Sequence, residues 1–411
     1  MNAHLFIRRC TFAAAFMMWA ASAGAQVDTA LKGLGMENIR TVETEDGCIA
    51  AFEDRAYRSS YYGVGKAIET ALGARKEGSL TLVVTDRNGM PQLRIFIDGN
   101  TVEDFACGKA TIRDVYTRME MGTCADRELE LLKGTETKAK SAWRPDLTVY
   151  PNLFLENTSF DKLYRYAVAL APAIEMPLWK GAEITAQVIF PIVTNQKGEL
   201  KTIRPGFVTF RQGVYLKKNW HAWVTGGLFN NNRMGGNVEA MWRSPKGRWE
   251  LGVRLGATVW SLFDEDGWTI TNKPKLDAAI YGRVYIPGWN TELYGSVNRF
   301  VYGDYGATGE VIRHFGEYTV GLYAMVAGGD INGGFSFAIP LPGKKYNRWK
   351  GMRLKPSDYF AFRYSMVAWG DYVDKNLGVY YNDEPNKNRS KGFYQPEYVR
   401  YFLIKELEKN N

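Results

Sequence analysis

The sequence predicts a mainly β protein: a transmembrane antiparallel β-barrel of about 12–14 strands, an even number being preferred for a bacterial single-chain barrel, preceded by a small α+β domain of ββαββ order. Three observations carry that expectation. The first is strand length. In Trp249–Trp260, residues Trp249, Leu251, Val253, Leu255, Ala257 and Val259 alternate with Glu250, Gly252, Arg254, Gly256 and Thr258. Strict alternation marks a strand with one apolar and one polar face. At about 3.3 Å per residue the run reaches ~40 Å, or ~28 Å at a tilt of ~45°, the height of an outer-membrane apolar band. The second is composition: aromatics make up 14% of the 411 residues, with 24 Tyr and 12 Trp beside 42 Gly, which suits aromatic girdles and tight turns. The third is charge confined to one face. A lipid-facing arginine near the midplane costs ~2–4 kcal/mol, and Arg165, Arg211, Arg254 and Arg283 all fall on polar faces.

Residues 1–25 carry the marks of a secretory signal: Arg8 and Arg9, an apolar stretch from Phe12 to Trp19, and an A-x-A cleavage site at Ala23-Gly24-Ala25. Its removal takes two arginines and no acids, lowering the formal charge from +8 to +6. A mean hydropathy of -0.30 excludes a helical membrane bundle but not a barrel, whose strands are apolar on one side only. No later apolar run approaches ~20 residues, so any crossing of a membrane is made by strands. Cys10 leaves with the signal. Of Cys48, Cys107 and Cys124, the pair Cys107 and Cys124 is the disulfide candidate; three thiols buried as small hydrophobes is the equal alternative. No Cys/His spacing suits zinc, and neither a metal nor a cofactor is expected.

Residues 26–145 read as a small periplasmic α+β domain with its linker. Asn38–Thr44 and Cys48–Arg58 are β-prone runs joined by the turn Glu45-Asp46-Gly47. Gly63–Ala74 sets Val64, Ala67, Ile68, Ala71 and Leu72 on one helix face. Ser79–Thr85 and Gln92–Asp98 form a second hairpin around Asp86-Arg87-Asn88-Gly89, where Asn-Gly favours positive φ. Thr111–Lys133 is mixed, helical near Glu128–Lys133, and the polar Gly134–Trp143 is a linker. Nothing here resembles a catalytic set; docking, plug and cap roles are equally compatible.

Residues 146–411 read as the barrel. Leu147–Glu156 opens the series. Leu163–Trp179 places Tyr164, Tyr166, Val168, Leu170, Pro172, Ile174 and Met176 opposite Arg165, several alanines and Glu175, with a bulge expected at Pro172. Gly181–Thr194 sets Ile184, Ala186, Val188 and Phe190 against Glu183, Thr185 and Gln187. Gly206–Lys217 sets Val208, Phe210, Val214 and Leu216 against Thr209, Arg211 and Gly213. Lys275–Ile286 sets Leu276, Ala278, Ile280, Val284 and Ile286 against Asp277, Tyr281, Arg283 and Tyr285. Glu317–Val326 sets Tyr318, Val320, Leu322 and Val326 against Thr319, Gly321 and Tyr323. Less regular runs cover His221–Phe229, Arg233–Arg243, Asn290–Tyr302, Gly306–His314, Gly333–Leu341 and Asp358–Trp369. A soluble sandwich or propeller also alternates, but its strands are about half as long.

Two basic loops, Gly343–Lys355 and Asn386–Lys391, are read first as solvated charge and second as attractors of an anionic polymer or lipopolysaccharide phosphate. The tail Glu397–Lys409 fits a last strand ending near Phe402 or an amphipathic helix. Catalytic motifs are missing: no phosphate-binding glycine loop, no HExxH, and only His221 and His314 outside the signal, both read as girdle or pore residues. Glu175, Glu183, Glu239 and Glu250 imitate a glycosidase pair, but lumen charge explains them more simply. The chain is not expected to be an enzyme.

Tyr164–Asn195, Gly329–Pro342 and Lys355-Pro356-Ser357-Asp358-Tyr359-Phe360 resemble the YjbH-type outer-membrane proteins of exopolysaccharide and capsule secretion loci. That resemblance covers most of residues 36 to 370. It implies a place in the outer membrane of a Gram-negative bacterium and a part in exporting or assembling a surface polysaccharide. Outer-membrane lipid, the polysaccharide and periplasmic export proteins are the implied partners; nucleic acid is not. The expected lumen lining is Arg165, Arg211, Arg254, Arg283 and Arg299, balanced by Glu175, Glu183, Glu239, Glu250 and Asp277, with Tyr281, Tyr285 and Tyr323 to stack on sugar rings. The alternatives are a general solute porin, a lipid- or polysaccharide-modifying enzyme of the outer membrane, and a non-conducting scaffold with a filled interior.

Overall fold

A computed structural model describes residues 26–86, 89–156, 164–366, 375–385 and 393–409. Residues 1–25, expected to be a signal, and the Asn386–Lys391 loop lie outside the described residues. The chain divides into two compact units: one runs to Ser141 and resumes at Pro396, the other is Ala142–Gln395.

In the first unit, residues 26–33 are helical (α1). β1 (Glu37–Thr44), β2 (Gly47–Glu53), α2 (Ser60–Gly73), β3 (Ser79–Thr85) and β4 (Pro91–Ile97) follow, then α3 (Gly99–Ala106), α4 (Ile112–Arg118), β5 (Glu120–Gly122) and α5 (Asp126–Leu131). The five strands pair in sequence order, and all pairs are antiparallel except β2 with β3, which the α2 crossover makes parallel. Both faces of β2 are covered. Ala50 and Phe52 are buried with Leu82 and Val84 on one side, while Ile49 and Ala51 pack with Val83, Ala125 and Leu132 on the other. The last element is α6 (Pro396–Lys409), so the tail is a helix of this unit and not a strand of the large sheet. Its apolar stripe explains the choice: Tyr398 and Phe402, four apart, meet Tyr61 of α2 at 6.1 and 5.4 Å between ring centroids. Gly65 lets α6 come close: a side chain there would meet the Leu403 methyl, which would have to shift.

Of the two readings left open for the cysteines, the Cys107–Cys124 disulfide does not form, and burial as a small hydrophobe holds for Cys48 alone. All three described cysteines are free, Cys107 at the exposed end of α3, Cys124 beside Asp126, and Cys48 buried in β2. Burial, and after it the neighbouring Glu43 carboxylate, pushes the Cys48 thiol far above its ordinary range.

The second unit is one 15-stranded sheet. It is a meander: β6 (Asp146–Glu156), β7 (Arg165–Pro177), β8 (Ala182–Thr194), β9 (Arg204–Tyr215), β10 (Trp220–Phe229), β11 (Arg233–Arg243), β12 (Trp249–Asp264), β14 (Lys275–Ile286), β15 (Thr291–Arg299), β16 (Tyr305–Phe315), β17 (Tyr318–Ala327), β18 (Asp330–Pro340) and β20 (Tyr359–Met366), each antiparallel to the next. The short β13 (Gly267–Ile270) extends β12 as a hairpin, and β19 (Arg353–Pro356) immediately precedes β20. The stretch β19–β20 touches both edges: β19 pairs in parallel with β6, and β20 pairs with β18. At one end, called the near end because β6 starts there, lie short turns such as Gly316-Glu317. The far end has longer connections as well as the two-residue Gly328-Gly329 turn, where φ of 58° and 95° is open to glycine at little cost. The predicted bulge is displaced. Pro172 sits in regular pairing with Val149, whereas the register of β7 against β8 slips between Val168 and Ala169, opposite Val193 and Pro191. A proline lacks the N–H that a ladder requires, and here it is Pro191 that the slip accommodates.

Candidate functional site

Alternation puts two chemically different surfaces on the large sheet. Val168, Leu170 and Ile174 of β7, Val253 and Leu255 of β12, Ile280 of β14, Val297 of β15 and Val320 and Leu322 of β17 are exposed on one. Exposed Trp179, Trp220, Trp249, Trp289, Phe315, Tyr318 and Trp349 gather in and beside the near-end turns. The opposite surface is polar and buried, and on it ionic groups from adjacent strands are brought into register.

Strand pairing places Arg243 opposite Glu250, Glu250 opposite Arg283, and Tyr285 opposite Glu292. The result is a chain of ion pairs: Arg243 to Glu250 at 2.8 Å, Glu250 to Arg283, and Arg283 to Glu292 at 2.9 Å, with His314 Nε2 3.9 Å from Glu292. Charges taken out of water need partners of this kind. Tyr281 donates to Glu239, Thr148 and Tyr150 donate to Glu175, and Glu183 lies across the ladder from Arg211. Arg363 pairs with Glu310 at 3.1 Å and stacks over Tyr323 with 3.7 Å to the ring centroid. At the near end Arg353 and Arg348 each reach Asp146 at 3.2 Å, and Lys355 reaches Asp358 at the same distance. Arg348, Arg353 and Lys355 are therefore internal ion partners, whereas Lys344, Lys345 and Lys350 of the same Gly343–Lys355 loop are exposed.

The polar surface is also covered by the chain itself. From the far end, Gly378 N–H donates to Asp304 and Val301 N–H to the Val379 carbonyl. Leu377 packs with Phe300, Met325 and Ala327. Asn231 donates to the Tyr380 carbonyl, and Asn382 N–H donates to Asn230. Deeper, Tyr381 stacks on Phe229 (5.0 Å, 9°) beneath the Arg254 guanidinium, 4.3 Å from the ring centroid. Arg254 also donates to the Tyr381 carbonyl at 3.2 Å, and Glu384 meets Arg211 at 2.6 Å. Towards the near end Phe393 stacks on His314 at 4.7 Å and against Tyr285 at 5.3 Å. Residues 375–385 thus lie against this surface from the far end, and Phe393 lies against it closer to the near end.

Arg211, Glu175, Glu183, Glu239, Glu250, Arg254, Asp277, Tyr281, Arg283, Tyr285 and Tyr323 share this surface. Arg165 has the same parity but ends its strand, exposed and 3.7 Å from Glu156. Arg299 departs from expectation. It shares parity with Leu293 and Val297, which are exposed, and pairs opposite Ala278 on the apolar side. At a strand end its guanidinium reaches the Leu276 carbonyl instead of crossing an apolar band. The three tyrosines named as sugar platforms are 9%, 4% and 8% exposed, covered by Glu239, Phe393 and Arg363 and so closed to a ligand in this state. Sequence reasoning passed over Tyr381 and Glu384, which lie in no alternating run, and over Arg233, Glu292 and Glu310, which do lie in such runs and were open to the same parity argument. Among the described residues no cluster of three or more His, Cys, Asp or Glu is placed to hold a metal ion, and no helix is long and apolar enough to cross a membrane. No family model, curated protein or solved structure matches this chain.

Proposed function

We propose that the large sheet closes into an outer-membrane β-barrel of a Gram-negative bacterium and takes part in the export or surface assembly of an exopolysaccharide or capsule. One observation carries the barrel: a meander with an exposed apolar side and a charged inner side has both its edges paired to the single stretch Arg353–Met366. With β19 and β20 as halves of one pass, the fourteen strands on the sheet's path make thirteen passes. An odd meander begins and ends in the same direction, so its closing pair has to be parallel, as β19 with β6 is. An open edge in hydrocarbon would leave backbone groups unsatisfied, whereas a closed one does not. The near-end turns with their aromatic collar fit the periplasmic rim of such a barrel.

Thirteen passes lie between the roughly 8 whose interior side chains fill and the 16–18 that leave an aqueous channel. Here residues 375–385 and 393–395 occupy part of that interior, which favours a closed resting conduit over a general solute porin. The polysaccharide half of the proposal rests on the resemblance to YjbH-type proteins, with outer-membrane lipid and periplasmic export proteins as the expected partners. The modifying-enzyme reading is weaker, since His221 stacks on Trp223 and His314 on Phe393.

Membrane-fractionated protein run in SDS before and after boiling tests the barrel. A faster unboiled band is expected, and identical migration would overturn closure. In the native host, deletion should deplete surface polymer; an unchanged polymer coat would remove the polysaccharide assignment while leaving the barrel in place.

A further inference from the structure

Building on the barrel reading, we propose that the interior contains a binding site for an acidic glycan and that residues Tyr381–Glu384 occupy it as a built-in surrogate. The site has three parts held by rigid strands. Phe229 offers a flat apolar platform, Arg254 a guanidinium over the other side of whatever lies on it, and Arg211 a cation that receives a carboxylate. A fourth feature makes the space: a side chain on Gly256 would strike the Tyr381 hydroxyl, so the strand has been left bare where the ring enters.

What fills the site is a ring followed by a carboxylate. Tyr381 lies between Phe229 and Arg254, and Glu384 pairs with Arg211. A uronate-bearing sugar chain presents the same chemistry, a ring with an apolar face and a carboxylate at its side. The surrogate is not replaced by the wall's own acid: Glu183 lies across the β8–β9 ladder from Arg211, but the ion pair of Arg211 is with Glu384 at 2.6 Å. Nor is it woven into the sheet. The segment is held by side-chain contacts and by scattered bonds to far-end loops, such as Gly378 to Asp304 and Asn382 to Asn230. Contacts of that kind are exchangeable one for one with those of an incoming polymer, whereas ladder bonds are not. A neutral glycan would satisfy Phe229 but leave the buried Arg211 cation without its carboxylate, so the wall discriminates for acid.

The test uses the chain from residue 26 onward, folded and inserted into planar bilayers. Tyr381→Ala/Glu384→Gln is expected to conduct several-fold more than the unaltered protein. An oligogalacturonate hexamer should block that current, and maltohexaose at equal concentration should not. Adding Arg211→Glu to the double variant should raise the half-blocking concentration about tenfold or more, the loss of one charge-assisted contact. A heat-shifting double variant that conducts no more than the unaltered protein, or that maltohexaose blocks equally well, overturns the surrogate while the barrel stands. Absence of a heat shift in the unaltered protein instead overturns the barrel reading itself. If the double variant alone loses its heat shift, the isosteric Glu384→Gln carries the same two readings.

Discussion

Arg353 and Asp146 show how much a single pair carries where β19 meets β6. Both are almost fully buried, they face each other in the only parallel pairing of the large sheet among the described residues, and Arg348 supplies a second cation to the same carboxylate. Arg353→Ala leaves Asp146 with less compensation in a dry setting. The expected cost is about 3–5 kcal/mol, read as a lower temperature at which the unboiled band disappears. In the first unit, Asp98 caps α3 by accepting from the Thr101 N–H at 2.9 Å and its hydroxyl at 2.7 Å. The Thr101 hydroxyl is the main reason the Asp98 carboxyl sits below its ordinary 3.8. A depressed folded value means that the cap's contribution is complete above the unfolded value and is lost as pH falls through the lower, folded one. Asp98→Ala should therefore cost about 1 kcal/mol at pH 7 and nearly nothing in strong acid, measured by denaturant melts of the first unit's signal at both pH values.

At the scale of the element, β12 makes the strongest separate statement about environment. Its odd-numbered residues Leu251, Val253 and Leu255 are exposed, and on its even-numbered side Glu250 pairs with Arg243 and Arg283 while Arg254 donates to the Tyr381 carbonyl. Leu255→Arg puts a cation on the outer face near mid-strand, with an expected penalty of ~2–4 kcal/mol in folding from denaturant into lipid bilayers. The same substitution in a water-exposed sheet would be close to neutral, so an unchanged folding free energy would speak against a lipid-facing surface. The residues that close the inner side come from a stretch with no such periodicity, 375–385, whose backbone is turn and extended chain. Its order derives from Phe229, Arg254 and Arg211, each fixed by a neighbouring strand.

At the scale of the whole molecule, the chain begins and ends in one unit. α6 brings Tyr398, Val399, Phe402 and Leu403 into burial in that unit, each worth about 1.5–3 kcal/mol of transfer free energy. Ending the chain after Gln395 should make residues 26–141 sensitive to limited proteolysis while the large sheet keeps its heat-shifted migration. Proteolysis unchanged from the full chain would mean that the helix is a dispensable cover.

Which way each strand faces was decided locally. A period of two needs no knowledge of the partner, and Arg211, Arg254, Arg283 and Glu250 could be assigned to the polar side from their own neighbours alone. Arg299 escaped that logic because a strand-end cation can turn to a carbonyl without crossing an apolar band. The helix at 60–73 and the strands flanking it were legible for the same reason, as apolar spacing and turn residues. Only tertiary structure decided that Cys107 and Cys124 would stay apart. It alone also decided that β19 would pair in parallel with β6, that Phe402 would pack on Tyr61, and that Tyr381 and Glu384 would lie on the polar face. Each of these joins residues distant in sequence through contacts that leave no periodic trace in the chain. Their free energy comes from burial and charge pairing that exist only once the strands have already taken their places.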